Sequence, residues 1–129
     1  DNVNQIDWAR KSEYFDVFEY YKKLIQLRKN HPAFRIANAE LIRKNLNFCI
    51  QYKMGVISYC IEGKSVGDSW GRIIMVFNAN QQQVSVPLPE GNYRFIASGS
   101  EINESGFGDF VSDEVKVEAV SMTILVAAK

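Results

Sequence analysis

Charge of one sign, long apolar runs, histidine and cysteine are all scarce in this sequence, and each shortage closes off a class of function. Lys plus Arg number 15 and Asp plus Glu also number 15, so there is no basic excess of the kind that nucleic acid or an anionic membrane surface selects. Neither nucleic acid nor membrane is expected as a partner. No apolar stretch approaches the roughly 18 residues of a membrane span, and the opening DNVNQIDWARK lacks the charged start and apolar centre of a secretory signal. The two cysteines, Cys49 and Cys60, are too few for a disulfide framework, and without a CxxC or Cys/His cluster zinc is not indicated. No metal or cofactor is expected. At 129 residues the chain has room for a single core. Its first residue is Asp and not Met, so a processed product or an excised fragment is expected.

What is present is one helix followed by many short strands. Asp16 with Glu19 forms a D-x-x-E capping pattern, Lys22, Lys23, Arg28 and Lys29 suit the C-terminal end of the helix dipole, and Asn30 and Pro32 supply the stop. Tyr14, Phe15, Val17, Phe18, Tyr20, Tyr21, Leu24, Ile25 and Leu27 cover an arc of roughly 240°, against the ~100° that one core contact needs. Such a helix has two neighbours. Its clean polar strip is Asp16, Glu19, Lys23, Gln26 and Asn30. A helical turn is expected around 7–11 and another at 39–43. Beyond the connector 35–46 the period changes to two, with candidate strands at 47–53, 56–62, 72–78, 83–88, 92–97, 114–118 and 122–127 and turns at GKSVGDSWG, NANQ, PEG, NESGFG and EAVS. This punctuation favours an antiparallel β-sandwich or barrel, a mainly β fold preceded by one long amphipathic helix, with a single boundary near 35–40. If the first two strands form a hairpin turning at Met54-Gly55, Cys49 faces Cys60 and the side carrying Phe48, Ile50, Tyr52, Ile57, Tyr59 and Ile61 is the core side. A bridge is then within reach, two free thiols being the plainer reading.

Candidates for chemistry are few. His31, between a helix end and a proline, is read as structural, able to bond the last helical carbonyls; a catalytic base would need a nucleophile partner that the sequence does not identify. The glycines of SGFGDF precede no helix and make a poor phosphate cradle. The carboxylates form no motif that singles out an acid/base pair. Trp70, in the polar loop GDSWGR, is either a platform for sugar rings, which would make the chain a carbohydrate-binding module, or a loop anchor packed on the sandwich edge; the anchor is favoured. Trp8 is expected to pack.

Taken in order, VNQIDW, YYKKLIQLRKNHPAFR, GDSW, IMVFNAN and PLPEGNYRF resemble the C-terminal part of type I pullulanases, starch-debranching glycoside hydrolases of the α-amylase superfamily. The resemblance covers essentially the whole chain, and it departs from the pattern at Tyr93, preceded by Asn92, where relatives often carry Trp. It implies that 1–36 are the terminal loop and last helix of a truncated (β/α)₈ barrel and 37–129 the all-β C domain. The wide apolar arc then marks faces turned to the missing catalytic barrel, the partner that the resemblance implies. The family's reaction is retaining hydrolysis of α-1,6-glucosidic branch linkages in pullulan and starch fragments. Its Asp nucleophile and Glu acid/base lie upstream, so the resemblance places no catalytic residue in this chain. Asp1 and Asn4, in a loop near the active site, are the positions it assigns to contact with the α-glucan substrate. This portion is expected to act as a stabilising, interface-forming part without activity alone. The other expectations are the C domain of a different α-amylase-superfamily enzyme, or a structural domain that forms a homo-oligomer through its open helix face. A secreted, periplasmic or cell-surface setting would suit such a parent.

Overall fold

The computed structural model describes residues 5–48 and 53–128. It begins with a single helical turn, α1 (Arg10–Glu13), expected slightly earlier, where the Asp7 carboxylate accepts from the Ala9 N–H at 3.0 Å. The long helix α2 (Phe15–Asn30) follows directly. Its start differs from the sequence expectation. Tyr14 occupies the cap position with no side-chain bond, and Asp16 lies inside the first turn, where it favours the dipole without closing a capping box. The helix stops where Pro32 cannot continue it: the His31 N–H closes onto the Leu27 carbonyl at 2.9 Å, and a 3₁₀ turn, Pro32–Arg35, takes over. The exposed carbonyls at this end are covered by Arg35, which donates to Arg28 O at 3.1 Å and Lys29 O at 3.2 Å. Histidine was expected in that role; its ring is engaged elsewhere. A third helix, α3 (Ala39–Asn45), is capped by Asn38, whose side-chain oxygen accepts from the N–H groups of Glu40 and Leu41.

Among the described residues eight strands follow: β1 (Leu46–Phe48), β2 (Val56–Glu62), β3 (Arg72–Asn78), β4 (Val84–Pro87), β5 (Tyr93–Ser98), β6 (Glu101–Val111), β7 (Glu114–Val117) and β8 (Ser121–Ala127). All pairings are antiparallel. Six strands form one sheet in the order β1-β2-β3-β8-β5-β6, and β4 pairs with β7 in a second. The fold is mainly β, antiparallel, with a helix in front, as the strand spacing indicates.

The large sheet is covered on both faces. Ile61, Ile73, Met75, Ile124 and Val126 face Leu27 and Ala33 and the half-buried Tyr20, Leu24 and Phe34 of the helical layer. Alternate residues, Cys60, Ile74, Val76 and Leu125, face Val84, Val86, Val115 and Val117 of the small sheet. Double coverage is why RIIMVF and TILV read as nearly unbroken apolar runs. It also revises the hairpin expectation: the face carrying Cys60 is itself core, while Ile57 and Phe48, expected inside, are exposed. The turn at Met54-Gly55 is present, with Val56 N–H bonded to Lys53 O, but the strands pair Asn47 with Cys60. Cys60 is disulfide-bonded, not a free thiol. Cys49, the other cysteine of the sequence, lies outside the described residues.

A further difference concerns β6. NESGFG was expected to be a turn because of its glycines, yet it lies within an eleven-residue strand. Gly106, at φ 87°, falls where the β5–β6 register shifts. A glycine at positive φ in a strand marks a bulge, not a chain reversal. A Cβ there would lie 2.9 Å from Arg94 Cδ, so the bulge also makes room for that arginine.

Leu27, 3% exposed, is the side chain through which α2 enters the core. Leu27→Ala is expected to lower stability by about 2–5 kcal/mol, measured by urea unfolding of the two chains.

Candidate functional site

The most concentrated polar chemistry in the fold lies where the end of α2, the loop 63–71 and β6 meet. The loop is shaped first by its own backbone. A 3₁₀ turn, Gly63–Val66, ends at Gly67, which adopts φ 84°. Gly63 N–H donates to Gly71 O and Asp68 N–H to Gly63 O, both at 2.9 Å. Gly63 itself has no room for a side chain, since a Cβ would lie 2.7 Å from the carbonyl oxygens of both Trp70 and Gly71. The loop closed in this way turns Asp68 inward, where its side chain is fully buried.

Asp68 is met by donors on every side. One carboxylate oxygen receives the Trp70 N–H at 2.9 Å and faces His31 Nδ1 at 2.8 Å; the other receives the Ala33 N–H at 3.0 Å. The second ring nitrogen of His31, Nε2, lies 3.2 Å from Glu104 Oε1. Asn30 Nδ2 donates to both oxygens of that glutamate, at 3.1 and 2.9 Å. The His31 ring stacks on the Trp70 indole with centroids 3.3 Å apart and planes 19° from parallel, and Phe34 meets both rings edge-on. Burial by itself would raise the Asp68 carboxyl; the Trp70 N–H, His31 and the Ala33 N–H outweigh it and hold the group below the ordinary aspartate range.

The arrangement does not support nucleophilic catalysis. Each His31 nitrogen is occupied by a carboxylate, one ring face is covered by Trp70, and the residue is 3% exposed. No hydroxyl or thiol among the described residues is bonded to it. A His–carboxylate pair without a nucleophile or solvent access positions structure and moves no proton to a substrate. The group is a joint, fastening the helix to the sandwich.

Trp70, 8% exposed, is therefore the loop anchor and not an open sugar platform. Trp8, expected to pack, is 74% exposed in this chain. Asp1 and Asn4 lie outside the described residues. The sequence reading missed Asp68 and Glu104. The block GDSW drew attention to its tryptophan, while the flanking glycines, which let an acidic loop residue turn inward, were the available signal for Asp68.

The family described as "Pullulanase, all-beta domain" matches residues 42–101. Over that segment the chain matches a pullulanase all-beta domain. It is 33% identical over 122 residues to the pullulanase of Bacillus subtilis strain 168, an alignment that takes in 94% of this chain and 16% of that protein. The solved pullulanase from Bacillus acidopullulyticus superposes with a TM-score of 0.92 at 36% identity, over 98% of this chain and 15% of that one. The type I pullulanase of Bacillus subtilis, solved with maltose, gives 0.88 at 31% identity over 99% of this chain and 18% of that one. The chain thus spans about a sixth of the length of the pullulanases it matches, and the likeness is consistent with a C-terminal part of such an enzyme. Asp68 and Trp70 fall inside the matched all-beta segment, whereas His31 and Glu104 fall on either side of it. The joint therefore ties the pullulanase domain to the sequence that flanks it.

Because the folded Asp68 carboxyl lies below its unfolded value, near 3.9, the unfolded chain binds the extra proton at acid pH. The stabilisation is complete above that value and is lost as pH falls through the folded pKa. Asp68→Asn is expected to melt lower than the wild type at pH 6, with the gap closing as pH is taken from about 4 towards 2; a gap independent of pH would contradict the assignment. Gly63→Ala should cost about 2 kcal/mol or more through its clash with fixed backbone, and Gly71→Ala, which meets no atom within 4 Å, less than about 0.5 kcal/mol. Denaturant melts of both variants check the contrast.

Proposed function

We propose that the chain is the last barrel helix and the non-catalytic all-β portion of a pullulanase-like glycosidase acting on α-1,6 branch linkages of pullulan and starch fragments. In this reading residues 1–36 belong structurally to the missing barrel and 37–129 to the C domain. The observation that carries it is the uneven burial of α2. Tyr20, Leu24 and Leu27 pack on the sandwich, while Phe15, Tyr21 and Ile25 remain more than half exposed and Phe18 more than a third. A single helix that buries one apolar side on its own domain and leaves a second bare is built for two neighbours. The similarity to pullulanases of much greater length supports a catalytic barrel as the second neighbour. The role of this portion is to hold that helix in place through the Asp68 joint and so stabilise the barrel wall it completes. Asp1 and Asn4 are the positions proposed to reach the glucan, with bond cleavage carried out by residues elsewhere in the parent polypeptide.

The reading is tested by one substitution in two settings. Ile25→Asp should change the stability of this chain by less than about 0.5 kcal/mol, because the side chain is already in water, and should cost about 2–4 kcal/mol in the full-length polypeptide, where an unpaired charge would be buried. Equal effects in both settings would sink the interface role. The 129-residue chain incubated with pullulan should release no reducing ends above blank.

A further inference from the structure

We propose that the cleft beside Trp70 binds a small phosphorylated sugar. The cleft has a volume of ≈ 520 Å³ and is bounded by Lys64, Ser69 and Trp70 of the loop, Arg94 of β5, Phe110 of β6 and the end of β8. That lies inside the ~300–1,000 Å³ typical of small-ligand sites. It shares Trp70 with the joint but is lined by neither His31 nor Asp68.

Its charge is one-sided. Among the described residues two cations line it and no carboxylate side chain does. Among the described residues the ion pairs are Lys22 with Glu19, His31 with Asp68 and with Glu104, and Arg72 with Glu62, so neither Lys64 nor Arg94 is in an ion pair. Two such cations on one concave surface attract an anion and gain most from one that reaches both. Arg94 is already positioned for this. Its Nη1 donates to the Ser105 carbonyl at 3.1 Å, its stem occupies the space that Gly106 leaves by having no Cβ, and the guanidinium retains further N–H groups for a ligand.

Hydrogen-bond polarity narrows the class of ligand. Lys64 and Arg94 can only donate, and among the lining side chains only Ser69 can also accept. A neutral sugar brings hydroxyls that must donate as well as accept, and among the lining side chains they would find an acceptor at Ser69 alone. A phosphate brings acceptors alone. Of the apolar lining, Trp70 and Val126 are buried and form the floor, while the exposed Phe110 offers apolar surface against which the C–H side of a sugar ring can lie. None of this depends on the barrel-interface reading above.

Titrating the ¹⁵N-labelled chain with glucose 6-phosphate, inorganic phosphate and maltose tests the proposal. Glucose 6-phosphate should give saturable shifts of the Trp70 indole and Arg94 signals that weaken with added salt, inorganic phosphate weaker ones, and maltose none. Lys64 is exposed, so Lys64→Gln should melt like the wild type, and it should raise the Kd for glucose 6-phosphate by about tenfold. The proposal is overturned if glucose 6-phosphate gives no saturable shift, if maltose shifts the same signals, if inorganic phosphate binds as tightly as the sugar phosphate, or if Lys64→Gln leaves the Kd unchanged.

Discussion

The buried carboxylate of Asp68 is the constraint on which the arrangement of helix and sandwich depends. Apolar contacts draw α2 onto the sheet, but such contacts are non-directional and would tolerate many orientations. Asp68 removes that freedom, because its oxygens are aimed at once at a backbone N–H from the 3₁₀ turn, a backbone N–H from its own loop and the ring of His31. A buried carboxylate with any of those donors displaced loses the hydrogen bonding that offsets its desolvation. The helix end, the loop and Trp70 are therefore fixed together or not at all, and Leu27 and Ala33 are delivered into the core as a result.

The opposite side of the domain is organised by a second buried polar side chain. Asn78, 2% exposed, donates to the carbonyls of Gln82, Val117 and Glu118 and accepts from Asn80. It stitches the turn after β3 to the end of β7, and so holds the small sheet over the large one. The layers are thus apolar in area and polar in registration. One fully directional side chain stands at each junction, and the strands between them are filled with Val, Ile and Leu.

Much of this was legible in the sequence. The period-two runs located β2 and β3 to the residue, and the stop at Asn30 was visible in the proline that follows. The surplus apolar arc of α2 was legible too, because a count of faces needs no knowledge of the partner. What was hidden depended on tertiary context. Gly106 and Gly108 look the same in a turn and in a bulged strand, and only pairing with β5 decides between them. The double coverage of the sheet made the assignment of an inner face to the β1–β2 hairpin wrong on one side, since alternation carries no information when both sides are buried. Asp68 and Glu104 were invisible for another reason: each is one acidic residue in a polar segment, and their partner His31 is 37 and 73 residues away. Asp1 and Asn4 lie outside the described residues.

The place of β8 in the sheet has a consequence for how the sheet is closed. The last of the described strands, β8, is not an edge: it lies between β3 and β5 and supplies Ile124, Leu125 and Val126 to the two cores. Until it is in place, β3 and β5 have no common neighbour and the large sheet exists as two unjoined pieces, β1-β2-β3 and β5-β6. Closure of the large sheet therefore waits on β8, the strand that must be inserted between two pieces whose pairings are otherwise separate.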